Sequence, residues 1–326
     1  MKALVTGGAG FIGSNLVKEL VKQKYKVLVL DNLSTGKLGN LKLIKNKIEF
    51  VKFDIAKKKI PFKLLNNIDY IFHLAGLSKA TESISKPKKY YNVNVKGTIN
   101  ILNAIRNIKI KKFIYSASAS CYGNPIKLPT SEKERIQNLT PYAFTKWKAE
   151  KIIFKYSKKF KFSAISMRFF NVYGPNSSAS SPYSAVISIF LKQKLKNKPL
   201  TIVGDGLQTR SFIFVSDVAE AMIKAAKSDL KNEIFNLGSD RSIKIINLVN
   251  IFKGKKIFIP KRDGDPMYSH SDIKKIKKKL NWKPMISIQS GIQELIKNID
   301  NWSDAPVWTP ISIAKATKTW FKLLKK

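Results

Sequence analysis

Along the first half of the chain, short apolar runs alternate with longer stretches whose apolar positions recur every three or four residues. The runs KALVTGG, YKVLVLDN, IEFVKFD, DYIFHLAG, KKFIYSAS and FSAISMRF are mostly β-branched or aromatic and read as strands. They are apolar with little interruption, whereas a strand with one wet face would alternate, so both of their faces are expected to be covered. Amphipathic segments lie between them. IGSNLVKELVKQ puts Ile12, Leu16, Val17, Leu20 and Val21 on one side of a helix, and VKGTINILNAIRN forms another. This alternation predicts an α/β fold, a parallel sheet with helices on both faces.

Beyond about residue 171 the pattern loosens. Loops rich in Ser, Asn, Gly and Pro (YGPNSSASSPYS, VGDGLQTR, KRDGDPMYSH) separate short strands and helices. A smaller mixed lobe carrying a binding surface is expected there. The tail SIAKATKTWFKLL is amphipathic, with Ile313, Thr317, Trp320, Phe321 and Leu324 on one side. That face is expected to pack on the protein or on a second subunit rather than on a membrane. No internal repeat or low-complexity linker interrupts the chain.

Composition narrows the class. The 326 residues are 44% apolar, which supports a packed core and argues against wholesale disorder. No apolar run approaches the ~20 residues a membrane span needs, and MKALVTGG enters a strand without a signal-peptide pattern. Cys121 is the single cysteine, so an internal disulfide and a cysteine-built metal cage are excluded. A cytoplasmic protein without a metal site is the expectation. The net charge of +40 suggests nucleic acid. The lysines are spread over the whole chain, however, and isoleucine and asparagine are also abundant. The charge therefore reads as solvated lysine faces, and no nucleic-acid partner is expected. Arginine is scarce, with only Arg106, Arg135, Arg168, Arg210, Arg241 and Arg262. A rigid two-pronged donor suits phosphate better than an ammonium does, which singles out Arg210 and Arg262.

VTGGAGFIG joins the first strand to the first helix, with Gly7, Gly10 and Gly13 three apart. Such a turn lets backbone N–H groups approach a pyrophosphate at a helix N-terminus. Its place between a strand and an amphipathic helix, opening a βαβ unit, makes the motif specific. Asp31 ends the second strand, where a carboxylate accepts from a ribose diol and repels a 2′-phosphate, favouring NAD over NADP. Asp54 is expected at the end of the third strand, where an adenine would lie.

PYAFTKWKAE places Tyr142 and Lys146 four apart on one helix face. A fixed ammonium at ~6 Å and an effective dielectric of ~20 favours phenolate by roughly 2.8 kcal/mol, about two pKa units. Tyr142 is thereby expected to act as a base near neutral pH. SASASCYG, at the end of the fifth run, offers Ser116, Ser118 and Ser120 as hydroxyl partners, and the pattern alone does not choose among them.

Taken with LDN, FDI, HLAG, NVNVKGT, RFFNVYGP, RSFIFVSDVAEA, FNLGS and RDGD, these motifs resemble the extended short-chain dehydrogenase/reductase family, within it the UDP-glucose 4-epimerase group. The resemblance covers nearly the whole chain. It implies a Rossmann-type doubly wound parallel sheet with a smaller mixed C-terminal substrate lobe. The cofactor domain would span 1–170 with a returning segment near 207–237, and the nucleotide-sugar lobe 171–206 and 238–326. It implies NAD contacts by Gly7, Gly10, Phe11, Ile12 and Gly13, by Asp31 and Asn32, by Asp54 and Ile55, by Leu74, Ala75 and Gly76, and by Asn94, Ser116, Tyr142, Lys146 and Phe169. Matching through Tyr-Gly, it puts the catalytic hydroxyl at Ser118 and leaves Ser120 a bystander. Asn171, Arg210, Arg262, Asp265 and Ser269 would meet a UDP-sugar, the two arginines on the diphosphate and Asp265 on the ribose.

Dehydratases and decarboxylases resembled by this chain carry an acid just after the catalytic hydroxyl. Here Ala119 and Ser120 stand there. The implied reaction is C4 epimerisation: Tyr142 takes the 4-hydroxyl proton, NAD takes the C4 hydride, and the hydride returns to the other face. Other 4-keto chemistry (reductase, decarboxylase or dehydratase) and a non-catalytic nucleic-acid binder are the alternatives. The family also implies a homodimer and a role in polysaccharide synthesis. Ser269 would stand against the sugar C2 substituent, where a tyrosine restricts the pocket and a small residue admits an N-acetyl group. A one-residue shift would put Tyr268 there instead.

Overall fold

The computed structural model describes residues 1–57, 59–178, 186–261 and 267–315. The first half alternates β1 (Lys2–Thr6), α1 (Phe11–Lys22), β2 (Lys26–Asp31), β3 (Ile48–Lys52), β4 (Tyr70–His73), α2 (Ala80–Ser85), α3 (Pro87–Tyr91), α4 (Gly97–Ala104), β5 (Lys112–Ser118), α5 (Pro141–Phe160) and β6 (Ala164–Phe169). The second half holds β7 (Asn171–Tyr173), α6 (Val186–Leu195), β8 (Leu200–Val203), β9 (Thr209–Phe214), α7 (Val215–Lys227), β10 (Glu233–Leu237), β11 (Ser242–Lys244), α8 (Ile245–Phe252), β12 (Lys256–Ile259), α9 (Lys274–Leu280) and α10 (Ile288–Lys297).

The central sheet has seven strands in the order β10-β6-β5-β4-β1-β2-β3, paired in parallel throughout. Successive residues of a strand face opposite sides. Ala3 and Val5 join Leu16, Val17 and Leu20 of α1 and Val218 and Met222 of α7 on one face. Leu4 joins Leu28, Ile71 and Phe113, covered by Ile101 of α4 and Ala149 and Ile153 of α5, on the other. The chain leaves β1 toward β2 and β3, then returns to the far side of β1 as β4. Ligands of open α/β sheets bind at such a reversal, off the carboxyl ends of the strands.

A second sheet, β11-β9-β7, and a two-stranded pair, β12-β8, build the smaller lobe. Phe190, Ile202, Phe212, Phe214, Leu248, Phe252 and Ile292 fill its core. α7 and β10 go back to the main sheet, and the buried Asp217 of α7 accepts from Met285 N and Ile286 N, tying the later chain to it.

Two element ends differ from the sequence pattern. β3 stops at Lys52, so Asp54 lies in the turn beyond the strand, where its carboxylate accepts from Ala56 N at 2.9 Å. A single π turn, Asn92–Lys96, precedes α4. Of the amphipathic tail face, Ile313 is buried, and Thr317, Trp320, Phe321 and Leu324 lie outside the described residues.

Candidate active site

The glycine turn sits at the carboxyl end of β1. Gly7 has φ +72, and a Cβ there would lie 2.7 Å from Ala75 N. A Cβ on Gly13 would collide with the Gly7 carbonyl oxygen and lie 2.8 Å from the Gly8 Cα. Helix α1 therefore starts pressed against the turn. Its N-cap, Gly10, offers no side chain, so nothing on that residue satisfies the first-turn N–H groups. Asp31, buried at the end of β2, accepts from Ala9 N at 3.0 Å and Leu33 N at 2.7 Å. A carboxylate has about four acceptor positions, so capacity remains for a diol. An open helix end beside a carboxylate fits the pyrophosphate and ribose of NAD.

A cleft of about 1960 Å³ runs from this turn across the strand ends into the smaller lobe. All the cofactor-side residues named from the sequence line it, Asn94 excepted, and so do Ser118, Asn171 and Arg210. Asn94 is 2% exposed and stands behind the wall. Its Oδ1 accepts from Leu77 N at 2.8 Å, and its Nδ2 donates to Leu77 O and to Thr145 Oγ1, both at 3.0 Å. Asn94 thus ties the loop after β4 to the helix that carries Tyr142. Arg262 and Asp265 lie outside the described residues.

Helix α5 is started by Thr140, whose Oγ1 accepts from Ala143 N at 3.2 Å, and by Pro141 in its first turn. Tyr142 follows in the first turn and Lys146 one turn later, both on the cleft. The Lys146 ammonium lies 3.5 Å from Ser116 Oγ and 4.7 Å from the centre of the Tyr115 ring. Burial pushes Lys146 down to about 7. Tyr142 departs from the sequence expectation. With the protein's own groups around it, burial raises its phenol, and a hydrogen bond with Ser118 opposes that rise. Desolvation of the charged phenolate is the larger of the two effects. Cys121 is buried and held up at about 12 by desolvation, which leaves its thiol inert.

Behind the cleft, His73 bridges β1 and α4. Its Nδ1 lies 2.7 Å from Thr6 Oγ1 and its Nε2 2.8 Å from Thr98 Oγ1. Thr98 gives its only hydroxyl hydrogen to Asn94 O, and Thr6 accepts from Ala75 N. His73 must therefore donate through Nε2 and accept at Nδ1. Burial, then the Lys146 charge, lowers it to about 3, so it stays neutral. Arg168 is structural: it pairs with Glu150 at 2.6 Å inside the core and donates to Tyr122 Oη.

Sequence reasoning missed the far end of the cleft, where Thr201 and Val203 of β8, Gln208, Ile245 and Trp302 line it. Apolar and small polar residues on short elements carry no motif. Thr145 was visible beside Lys146, but its bond to Asn94 required the fold.

A Rossmann sheet with a glycine turn, an acid at the end of β2 and a Ser-Tyr-Lys group on one cleft defines an NAD-binding enzyme of the extended short-chain dehydrogenase/reductase type. The chain belongs to the NAD dependent epimerase/dehydratase family, whose sequence model matches residues 3–238. It is 36% identical over 327 residues to the UDP-glucose 4-epimerase of Lactobacillus helveticus, covering 93% of this chain and 97% of that one. Among solved structures, the UDP-glucose 4-epimerase of Thermotoga maritima with UDP-glucose has a TM-score of 0.87 at 30% identity, covering 93% of this chain and 100% of that one. A UDP-N-acetylglucosamine 4-epimerase from Methanobrevibacter ruminantium, in complex with UDP-N-acetylmuramic acid, has a TM-score of 0.86 at 32% identity, covering 91% and 97%. Decarboxylases are also relatives. The UDP-glucuronic acid decarboxylase 1 of Arabidopsis thaliana is 31% identical over 314 residues, covering 92% of this chain and 70% of that one. Among the described residues no group of three or more His, Cys, Asp or Glu could hold a metal, and no helix is long and apolar enough to cross a membrane.

Proposed function

We propose that this protein interconverts the C4 epimers of a UDP-sugar. The observation that carries this reading is the cleft itself. Ser118, Tyr142 and Lys146 line it opposite the glycine turn, with Ala119 and Ser120 where an acid would have to stand for dehydration or decarboxylation. NAD, held by the glycine turn and Asp31, would supply reversible hydride transfer at C4. Tyr142 accepts the proton of the sugar 4-hydroxyl and later returns it. Ser118 holds that oxygen, and Lys146 and Ser116 fix the far wall. Neither Ala119 nor Ser120 can remove a second proton at neutral pH, which leaves the 4-keto sugar to turn over. Residues 1–170 with the segment near 207–237 are assigned to NAD, and 171–206 with 238–326 to the nucleotide sugar. Arg210 on β9 is assigned to the diphosphate. The same resemblance supports a homodimer working in the cytoplasm on polysaccharide precursors.

For the sugar, the reading favours turnover of UDP-N-acetylglucosamine alongside or ahead of UDP-glucose. One contact and one exposure support it. Asn171, which lines the cleft, donates from Nδ2 to Ser269 Oγ at 3.3 Å, so Ser269 stands directly behind a lining residue without lining the cleft itself. Tyr268 is 54% exposed, turned to solvent. Incubation with UDP-glucose, UDP-N-acetylglucosamine and UDP-glucuronate separately, with the C4 epimers resolved by NMR, tests the reading. Epimer formation from at least one sugar is expected, and loss of carbon dioxide from UDP-glucuronate would show a decarboxylase instead. Ser269→Tyr should suppress the N-acetylated substrate and spare UDP-glucose. Equal loss of both would remove Ser269 as the gate.

A further inference from the structure

We infer that the C-terminal segment from Trp302 to Ile313 is the outer wall of the cleft where the nucleoside of the substrate sits, and that Gln193 is the positioning residue that holds this wall to β8. This rests on the reading of the substrate as a UDP-sugar. The cleft starts at the glycine turn, passes Ser118 and Tyr142 at the strand ends, and takes in Arg210 on β9. Its far end reaches β8, which pairs with β12 in the smaller lobe and not with the sheet of β9. With Arg210 assigned to the diphosphate, the sugar lies on the Tyr142 side and the nucleoside on the β8 side. The lining there comes from two sources. Ile189 of α6 and Thr201 and Val203 of β8 supply one part, and Trp302, Pro306 and Ile313 supply the other. Apolar surface with few polar groups suits a planar base. Asp304 lines the same space, and a carboxylate there repels phosphate, which leaves the diphosphate to Arg210.

Residues 303–309 form neither helix nor strand, so their course depends on what they are tied to. Trp302 ends the 3₁₀ turn Ile299–Trp302 and is buried in the core of the smaller lobe. At the other end Thr309 and Ser312 cap each other, Ser312 N donating to Thr309 Oγ1 at 3.2 Å and Thr309 N to Ser312 Oγ at 2.8 Å. A helix begins there at Pro310 and buries Ile313. Between these anchors, two consecutive side chains of α6 hold the segment. Lys192 Nζ donates to Ser303 O, and Gln193 Nε2 donates to Trp308 O at 2.6 Å. Gln193 is fully buried and reaches β8 as well. Its Nε2 donates to Thr201 Oγ1 at 2.9 Å, and its Oε1 accepts from Thr201 N at 3.2 Å. Trp308 O can only accept and Thr201 N can only donate, so the amide has one orientation and both of its hydrogens are used. One side chain thus clamps β8 and the C-terminal segment together. The clamp starts from a rigid element, because Ile187, Phe190 and Leu191 fix α6 in the lobe core. A wall set in place beforehand need not be ordered when the nucleoside arrives, which favours binding. Methionine at 193 keeps the length and volume of the side chain and drops all three bonds.

The test uses the full-length NAD-bound protein, with UDP and inorganic pyrophosphate as separate probes. Amide hydrogen exchange over residues 302–313 is followed by mass spectrometry, first on wild type. A ligand that binds only the closed wall slows exchange through local opening in proportion to its saturation. UDP at about 100 times its Kd should slow that exchange at least about tenfold, and pyrophosphate should leave it unchanged. Gln193→Met should speed exchange over residues 303–309 and raise the UDP Kd about threefold to thirtyfold, with NAD content as in wild type. In turnover of the UDP-sugar, KM should rise with kcat nearly unchanged, the mark of binding lost equally from ground state and transition state. Exchange over 302–313 that ignores UDP overturns the inference, as does equal slowing by pyrophosphate. A folded Gln193→Met with the wild-type UDP Kd overturns the role of Gln193. If that variant does not fold, the exchange of wild type decides alone. If UDP slows the wall and no UDP-sugar is epimerised, the proposed function fails and the wall stands.

Discussion

Tyr142 stands where two opposing effects meet: burial disfavours its phenolate, and the Ser118 bond favours it. Tyr142→Phe keeps the ring and removes the proton acceptor. A positioned acid–base group contributes about 10²–10⁴-fold. Turnover should therefore fall below a tenth of wild type while NAD content and the far-UV spectrum hold; a higher residual rate would mean another group is the base. Lys146 makes a stability statement as well. Its native pKa is about 7 against an ordinary 10.5. Between those values the unfolded chain binds a proton that the native state does not, so stability rises with pH across that window. Below pH ~7 both states are charged and the native state carries the whole burial penalty, on the order of a few kcal/mol. Lys146→Met should thus be the more stable protein in denaturant titrations at about pH 6, with the gap narrowing by about pH 9. It should also shift the pH–rate profile upward and weaken NAD retention, and an unchanged profile would remove its electrostatic role. At this scale the short-range motifs were legible in the sequence: the glycines, Asp31, Tyr142 and Lys146 announce themselves by spacing. Ser118 did not, because three serines alternate and only the family match chooses. The phenol's rise was hidden too, since desolvation depends on what the fold puts around it.

Strands buried on both faces write themselves as apolar runs, so β1, β2, β4, β5 and β6 were readable, as was the helix between β1 and β2 from its stripe; β3 also reads as an apolar run, although as the edge strand it is only partly buried. The ends were less so. Asp54 falls past β3, and the π turn at 92–96 has no signature, although it carries the Asn94 that ties the β4 loop to α5. The short mixed strands of the smaller lobe were legible only as a change of texture, because three- and four-residue strands show no period. The turn between β1 and α1 is the element on which cofactor binding depends, and Gly13→Ala tests it. The added methyl collides with the Gly7 carbonyl oxygen, so the turn must open or α1 must move away. NAD content of the purified protein should drop severalfold, and the melting temperature should fall by a few degrees, a typical result of forcing one methyl into a packed contact. Full NAD retention would show that the close approach is not needed.

Across the whole molecule the charge is lopsided, with 61 basic residues against 21 acidic ones. One-to-one pairing leaves at least 40 cations without an acid (61 − 21). The described ion pairs show the shortage directly: Glu82 serves both Lys86 and Lys89, and Glu233 serves both Lys275 and Lys279. A compact body holding this much like charge repels itself, and the expanded unfolded chain repels itself less. Salt shortens the reach of that repulsion from about 30 Å at 0.01 M to about 3 Å at 1 M. The family and the cleft assign no function to the charge, so its signature should be thermodynamic. Raising sodium chloride from about 0.05 M to about 0.5 M should raise the melting temperature by several degrees, because the native state gains more from screening than the unfolded one. Surface charge used to hold a nucleic acid would behave otherwise. Polynucleotide would copurify, and its affinity would fall with salt on a log–log slope of several units. A melting temperature that is flat or falling with salt, together with such a slope, would show that the lysines are a binding surface.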